Sequence, residues 1–90
     1  MPVLLIAAFM LVHSWYDPIC CSDRDCRPVP ATDVLEIEGG WKHLPSGAIF
    51  RDEPNIKRIR PSHDSNFHVC LGNTPSNMNF PYCIYILQGT

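Results

Sequence analysis

Five cysteines (Cys20, Cys21, Cys26, Cys70 and Cys83) in a chain of 90 residues constrain this fold more than any other feature. A domain this small buries only about 60% of the surface its unfolded chain exposes, so its apolar core alone leaves it marginal. Covalent staples are the usual remedy. In an oxidising compartment closely spaced thiols read as disulfides first and as metal ligands second.

The N-terminus points to that compartment. Residues 3–12 (VLLIAAFMLV) form an unbroken apolar run. The run falls short of the roughly 20 residues a membrane-spanning helix needs and fits the hydrophobic region of a secretory signal peptide. Val12 and Ser14 occupy the −3 and −1 positions of a cut before Trp15, although no Lys or Arg precedes the run. The expectation is a signal peptide over 1–14 and a single small β domain over 15–90. That domain would be periplasmic or secreted, with no stable membrane span once the signal is removed.

Spacing leaves the disulfide connectivity open. Cys70 and Cys83 lie in strand-like stretches (FHVCL and YCIYIL) joined by an Asn-, Pro-, Gly- and Ser-rich connection. A Cys70–Cys83 bridge would close a loop of about 14 residues and contribute roughly 3 kcal/mol in the chain-entropy model. Cys26 would then pair with Cys20 or Cys21 and leave one thiol over, available for a disulfide-linked dimer. Bridges from the N-terminal trio to Cys70 or Cys83 are an equal alternative, pinning the N-terminal segment to the sheet.

The rest of the chain reads as all-β. Nine prolines punctuate it, and no amphipathic helix of useful length is visible. Strands are expected at 34–38, 41–44, 48–51, 56–60, 67–71 and 82–87. Gly39-Gly40 supplies a hairpin turn after the first of them. Five to six short strands at this spacing suggest a small antiparallel meander or barrel, preceded by an irregular, disulfide-stapled segment over 15–31.

Composition and motifs narrow the function. A net charge of −2 with 18% charged residues argues against nucleic-acid binding driven by phosphate attraction. No G-x-S-x-G, H-E-x-x-H or phosphate-cradling glycine loop occurs, so no catalytic residues are assigned. Ser62-His63-Asp64-Ser65 reads as a turn whose side chains bond to the backbone. Lys57, Arg58 and Arg60 form the one basic cluster, and with Trp15 and Trp41 they are the candidate binding surface for a protein or envelope component. The alternative is a zinc or copper site, or a thiol-redox centre, built from Cys20, Cys21, Cys26 and His68. Against it, no C-x-x-C pair is present.

The runs His13-Ser14-Trp15-Tyr16-Asp17-Pro18, Cys20-Cys21-Ser22 and Asp25-Cys26-Arg27-Pro28-Val29 occur in order along the chain. Ile59-Arg60-Pro61-Ser62, Phe67-His68-Val69-Cys70 and Cys83-Ile84-Tyr85-Ile86 follow. Together they resemble a group of small secreted cysteine-containing proteins of alphaproteobacteria, with related genes in phages of such bacteria. The resemblance implies a periplasmic address and a cysteine framework. It brings no reaction with it, and leaves a phage structural or lysis role as a further expectation.

Overall fold

The structure, a computed structural model, describes residues 15–20 and 26–88. The expected signal segment and Cys21 lie outside the described residues. Among the described residues seven strands follow in order: β1 (Cys26–Val29), β2 (Val34–Ile37), β3 (Gly40–His43), β4 (Ile49–Phe50), β5 (Ile59–Pro61), β6 (Phe67–Leu71) and β7 (Pro81–Ile86). A single 3-10 turn, Ala31–Asp33, separates β1 from β2. The all-β expectation holds.

The strands divide into two sheets, one four-stranded in the order β1-β6-β7-β5 and one three-stranded in the order β2-β3-β4. Five of the expected strands are recovered close to their bounds, and the expected 56–60 segment contributes only its end, as β5. β5 runs parallel to β7, whereas a meander pairs its neighbours antiparallel. β1 falls inside the stretch expected to be irregular because of Pro28 and Pro30. It is an edge strand, pairing only with β6, and an edge tolerates the missing N–H of a proline.

The hairpin turn sits one residue earlier than expected. Ile37 pairs with Gly40, so the two-residue loop is Glu38-Gly39, and Gly39 takes a φ of +77°. Gly40 opens β3 because β4 passes too close for a side chain: a Cβ there would come within 2.2 Å of the Phe50 carbonyl oxygen.

Strand alternation gives the four-stranded sheet two buried faces. Val69 and Ile84 are register partners across β6 and β7, and with Leu71 they pack against Phe50 and Ala48 of the three-stranded sheet and its approach. Phe50, Val69 and Ile84 are fully buried. The flanking register pairs, His68 with Tyr85 and Cys70 with Cys83, project to the opposite face. There they meet Cys20, Trp15 and Tyr16 of the N-terminal segment. Burial on both sides explains why β6 and β7 read as near-continuous apolar runs rather than alternating ones.

Candidate functional site: a groove under the stapled N-terminal segment

The disulfides decide where the N-terminal segment lies. Cys20 bonds to Cys83 and Cys26 to Cys70. The expected Cys70–Cys83 bridge, with its local partner inside the Cys20/Cys21/Cys26 trio, is therefore replaced by the pinned alternative. Cys70 and Cys83 do face each other in the ladder, but Cys83 bonds to Cys20 of the segment covering that face, and Cys70 bonds to Cys26, its register partner on β1. The two bridges span sequence separations of 63 and 44 residues. Loops of that length correspond to about 4 kcal/mol each in the chain-entropy model. Two disulfides among the described residues of so small a domain point to an oxidising environment.

Residues 15–20 are held at almost every position. The Cys20 N–H donates to the Asp17 carbonyl at 2.9 Å, and the Ile19 N–H donates to Asp17 Oδ1 at 2.9 Å. Asp17 Oδ2 accepts from Arg60 Nη1, and the Asp17 N–H donates to the Tyr85 hydroxyl at 3.0 Å. The Ile19 N–H and then the Arg60 guanidinium hold the Asp17 carboxyl below the usual carboxylate range. Trp15 stacks on His63 at 4.7 Å and meets Tyr85 edge-on at 5.0 Å.

Tyr16 anchors the segment through a polar chain. Its hydroxyl lies 2.7 Å from His68 Nδ1, and His68 Nε2 lies 2.9 Å from Asp64 Oδ1. The His68 hydrogen bond, followed by the Asn66 N–H, pulls the Asp64 carboxyl down to about 2. An ionised carboxylate only accepts, so Nε2 carries a hydrogen and donates to Asp64, while Nδ1 shares the second hydrogen bond with the Tyr16 hydroxyl. The connectivity is that of a hydroxyl, a base and an orienting carboxylate. Burial, however, pushes the Tyr16 hydroxyl up, with the Asp64 charge adding to it, opposite to what an activated nucleophile needs. Ser62 Oγ is likewise occupied, bonding to Asp64 rather than to an imidazole. The chain works as a clamp.

Between this segment and β5 lies an open groove of about 440 Å³, walled by Trp15, Tyr16, Tyr85 and His63 on one side and by Lys57 and Arg60 on the other. The structure thus brings together Trp15, Lys57 and Arg60 from the expected binding surface. Trp41 is not part of it: its ring packs near Phe67 at 5.6 Å and against the other core cluster. Arg58 is not a surface cation, because its side chain is only 9% exposed and is tied to Glu53 and to β7. The remaining basic charge is largely compensated, Arg60 by Asp17 and Lys57 by Asp52 at 3.3 Å. Asp52 is held below the usual carboxylate range first by the Ile59 N–H, with the Arg58 N–H and Lys57 adding to it.

Of the alternative metal ligands, Cys21 lies outside the described residues. Cys20 and Cys26 are oxidised, and both ring nitrogens of His68 are engaged by Tyr16 and Asp64. Among the described residues no group of three or more His, Cys, Asp or Glu side chains could hold an ion. Nor, among them, is any helix long and apolar enough to cross a membrane.

The sequence alone does not single out Asp17, Asp64 and Tyr85 as binding residues. Tyr85 had a signal: it sits two residues after Cys83 on a strand and therefore shares its face. No protein-family model matches the chain, and no curated protein or solved structure matches it either.

Proposed function

We propose that this chain is an exported, disulfide-stapled β module that binds a component of the cell envelope through the Trp15 groove, in the periplasm or outside the cell. The observation that carries this reading is the fixation of residues 15–20. The Cys20–Cys83 bridge, a part-buried Tyr16–His68–Asp64 chain and an Asp17–Arg60 ion pair hold one half-buried tryptophan against an aromatic groove. A preorganised aromatic wall beside polar groups loses little entropy when a partner docks. The Tyr16 hydroxyl and the His68 imidazole beneath it bond to each other, and the Tyr85 hydroxyl is taken by the Asp17 N–H, which supports a binding role over a reacting one. The oxidised state of Cys20 and Cys26 weighs against the metal and thiol-redox readings.

The test is photo-crosslinking in cells from a photoreactive residue at the exposed Lys57 position. A discrete adduct in the periplasmic fraction, lost in Trp15→Ala and kept in Trp41→Phe, is expected. An adduct that ignores both substitutions, or no adduct at all, sinks the groove reading.

A further inference from the structure

A second pocket, sharing no lining residue with the Trp15 groove, opens where β4 and the Glu53–Arg58 loop meet the start of β7. It encloses about 190 Å³ and is lined by Ile49, Arg51, Glu53, Arg58, Phe80 and Pro81. That is below the roughly 300 Å³ at which drug-sized ligands begin to fit, so its occupant is fragment-sized.

Arg58 is the unusual member. More than nine-tenths of its side chain is buried. Nε donates to Glu53 Oε2 at 3.0 Å, and Nη1 donates to the Pro81 and Tyr82 carbonyls at 3.0 and 3.1 Å. The guanidinium carbon lies 5.3 Å from the centre of the Phe80 ring. A guanidinium carries five N–H donors, and these contacts engage those on Nε and Nη1. Nη2 has no acceptor among the described residues, although burying a charged donor is costly unless it is hydrogen-bonded. A purely structural clamp on β7 accounts for Nε and Nη1 but not for Nη2.

Arg51 supplies the independent second observation. It forms no ion pair or side-chain hydrogen bond among the described residues, and its Cγ runs close along the backbone of Gly40 at the β2–β3 turn. The pocket therefore sets two guanidiniums against one carboxylate, beside the partly exposed Ile49 and Phe80. A planar, two-oxygen anion on an apolar substituent matches both halves of this lining. Guanidinium favours carboxylate in that geometry.

We infer that this pocket binds a carboxylate borne next to a small apolar side chain, the chemistry shared by a free hydrophobic acid and by the last residue of a polypeptide. The Arg58 Nη2 and Arg51 donors take the carboxylate, and Ile49 and Phe80 take the apolar group.

Titration of the full, oxidised chain by NMR tests this, following the Arg51 and Arg58 Nε–H signals with four probes: N-acetyl-leucine, a pentapeptide ending in a free leucine carboxylate, and the amidated form of each. Both free acids are expected to bind at least about tenfold more tightly than their amides, since a charge-assisted pair contributes about 1.5–3 kcal/mol. Equal affinities of the two acids assign the site to a free acid, and tighter binding of the peptide assigns it to a polypeptide C-terminus. Arg51→Ala should weaken binding about tenfold. Glu53→Gln, which keeps an acceptor for Nε but removes the competing charge, should tighten it about threefold. That gain is one a merely structural Arg58 would not produce. Acids and amides that bind alike, a Glu53→Gln variant with unchanged affinity, or no binding by either acid overturns the proposal. Trp15→Ala leaves this pocket intact, so its fate is separate from that of the groove.

Discussion

The two faces of the four-stranded sheet are built from the same pair of strands and by different physics. One face joins Val69, Leu71 and Ile84 to Phe50 and Ala48 in a core without a titratable group among its buried members. The other joins Cys70, Cys83 and Tyr85 to Cys20 and Cys26, with His68 bridging Tyr16 and Asp64 beside them. The apolar face gains from area removed from water and is indifferent to redox state. The stapled face gains from bonds that exist only when oxidised and from hydrogen bonds that need particular protonation states. In a domain this small the first face makes the fold, and the second converts six N-terminal residues into a rigid wall.

The largest effect should come from breaking the apolar face. Phe50 is fully buried between the sheets. Phe50→Ala should cost about 3–5 kcal/mol through lost transfer energy and the cavity left behind. Denaturant midpoints from any spectroscopic probe should fall together. A loss under about 1 kcal/mol would mean the three-stranded sheet packs too loosely to count as core.

Next comes the staple. Cys20→Ala with Cys83→Ala should lower stability by up to about 4 kcal/mol in the chain-entropy model. Its local signature matters more than its size. Hydrogen exchange at the Asp17 and Cys20 amides, whose partners lie in the clamp, should become fast. The Ile84 amide, bonded to the Arg58 carbonyl, should keep the protection of the remaining fold. Simultaneous loss at all three amides would show that the two faces form one cooperative unit, and the comparison drawn here would fail.

A smaller change probes the polar chain within the stapled face. Tyr16→Phe leaves His68 Nδ1 without its hydrogen-bond partner in a buried site, which should cost about 1–2 kcal/mol. Tryptophan emission in a Trp41→Phe background should report Trp15 alone and shift as its wall loosens. An unchanged spectrum with unchanged stability would place the anchoring in Cys20 and Asp17 only.

How far the sequence reveals this division depends on the kind of force involved. The apolar face is legible because periodicity and turn residues are local: FHVCL, YCIYIL and the Gly39-Gly40 signal place β6, β7 and the hairpin within a residue or two. The stapled face is illegible in detail because cysteines carry no direction. Cys70 and Cys83 look like each other's partners until the fold sets Cys26 beside Cys70 on β1 and lays Cys20 over Cys83. β5 was placed early because Lys57-Arg58-Ile59-Arg60 reads as one basic stretch, whereas Arg58 turns inward to carbonyls of β7 that lie more than twenty residues away. Nothing local marks that turn. The same applies to Trp15 and Trp41, equivalent by composition but placed against different cores.

The least costly way to separate the faces is pH, because His43 on one side and Asp64 on the other are shifted in different ranges. Among the described residues, His43 is the buried imidazole on the three-stranded-sheet side. Burial, with the Arg27 charge adding to it, pushes its pKa below the ordinary 6.5. A base whose folded value is depressed resists protonation in the fold, so its contribution is intact above pH 6.5 and declines as pH falls below it. Asp64, on the stapled side, is depressed to about 2 from 3.8. Its contribution is intact above pH 3.8 and is lost as pH falls towards 2. Because the Asp64 side chain is 43% exposed, solvent screens that contribution to less than about 1 kcal/mol. Stability measured against pH should therefore decline in two steps. His43→Gln should flatten the step below pH 6.5 and leave the acid step, while Asp64→Asn should shrink the step between pH 4 and 2 and leave the other. Asp17 and Asp52 are depressed in the same direction, so part of the acid step survives in Asp64→Asn. If either substitution flattens both steps, protonation on one face is felt on the other through the shared strands β6 and β7, and the sheet between them transmits what this comparison treats as separate.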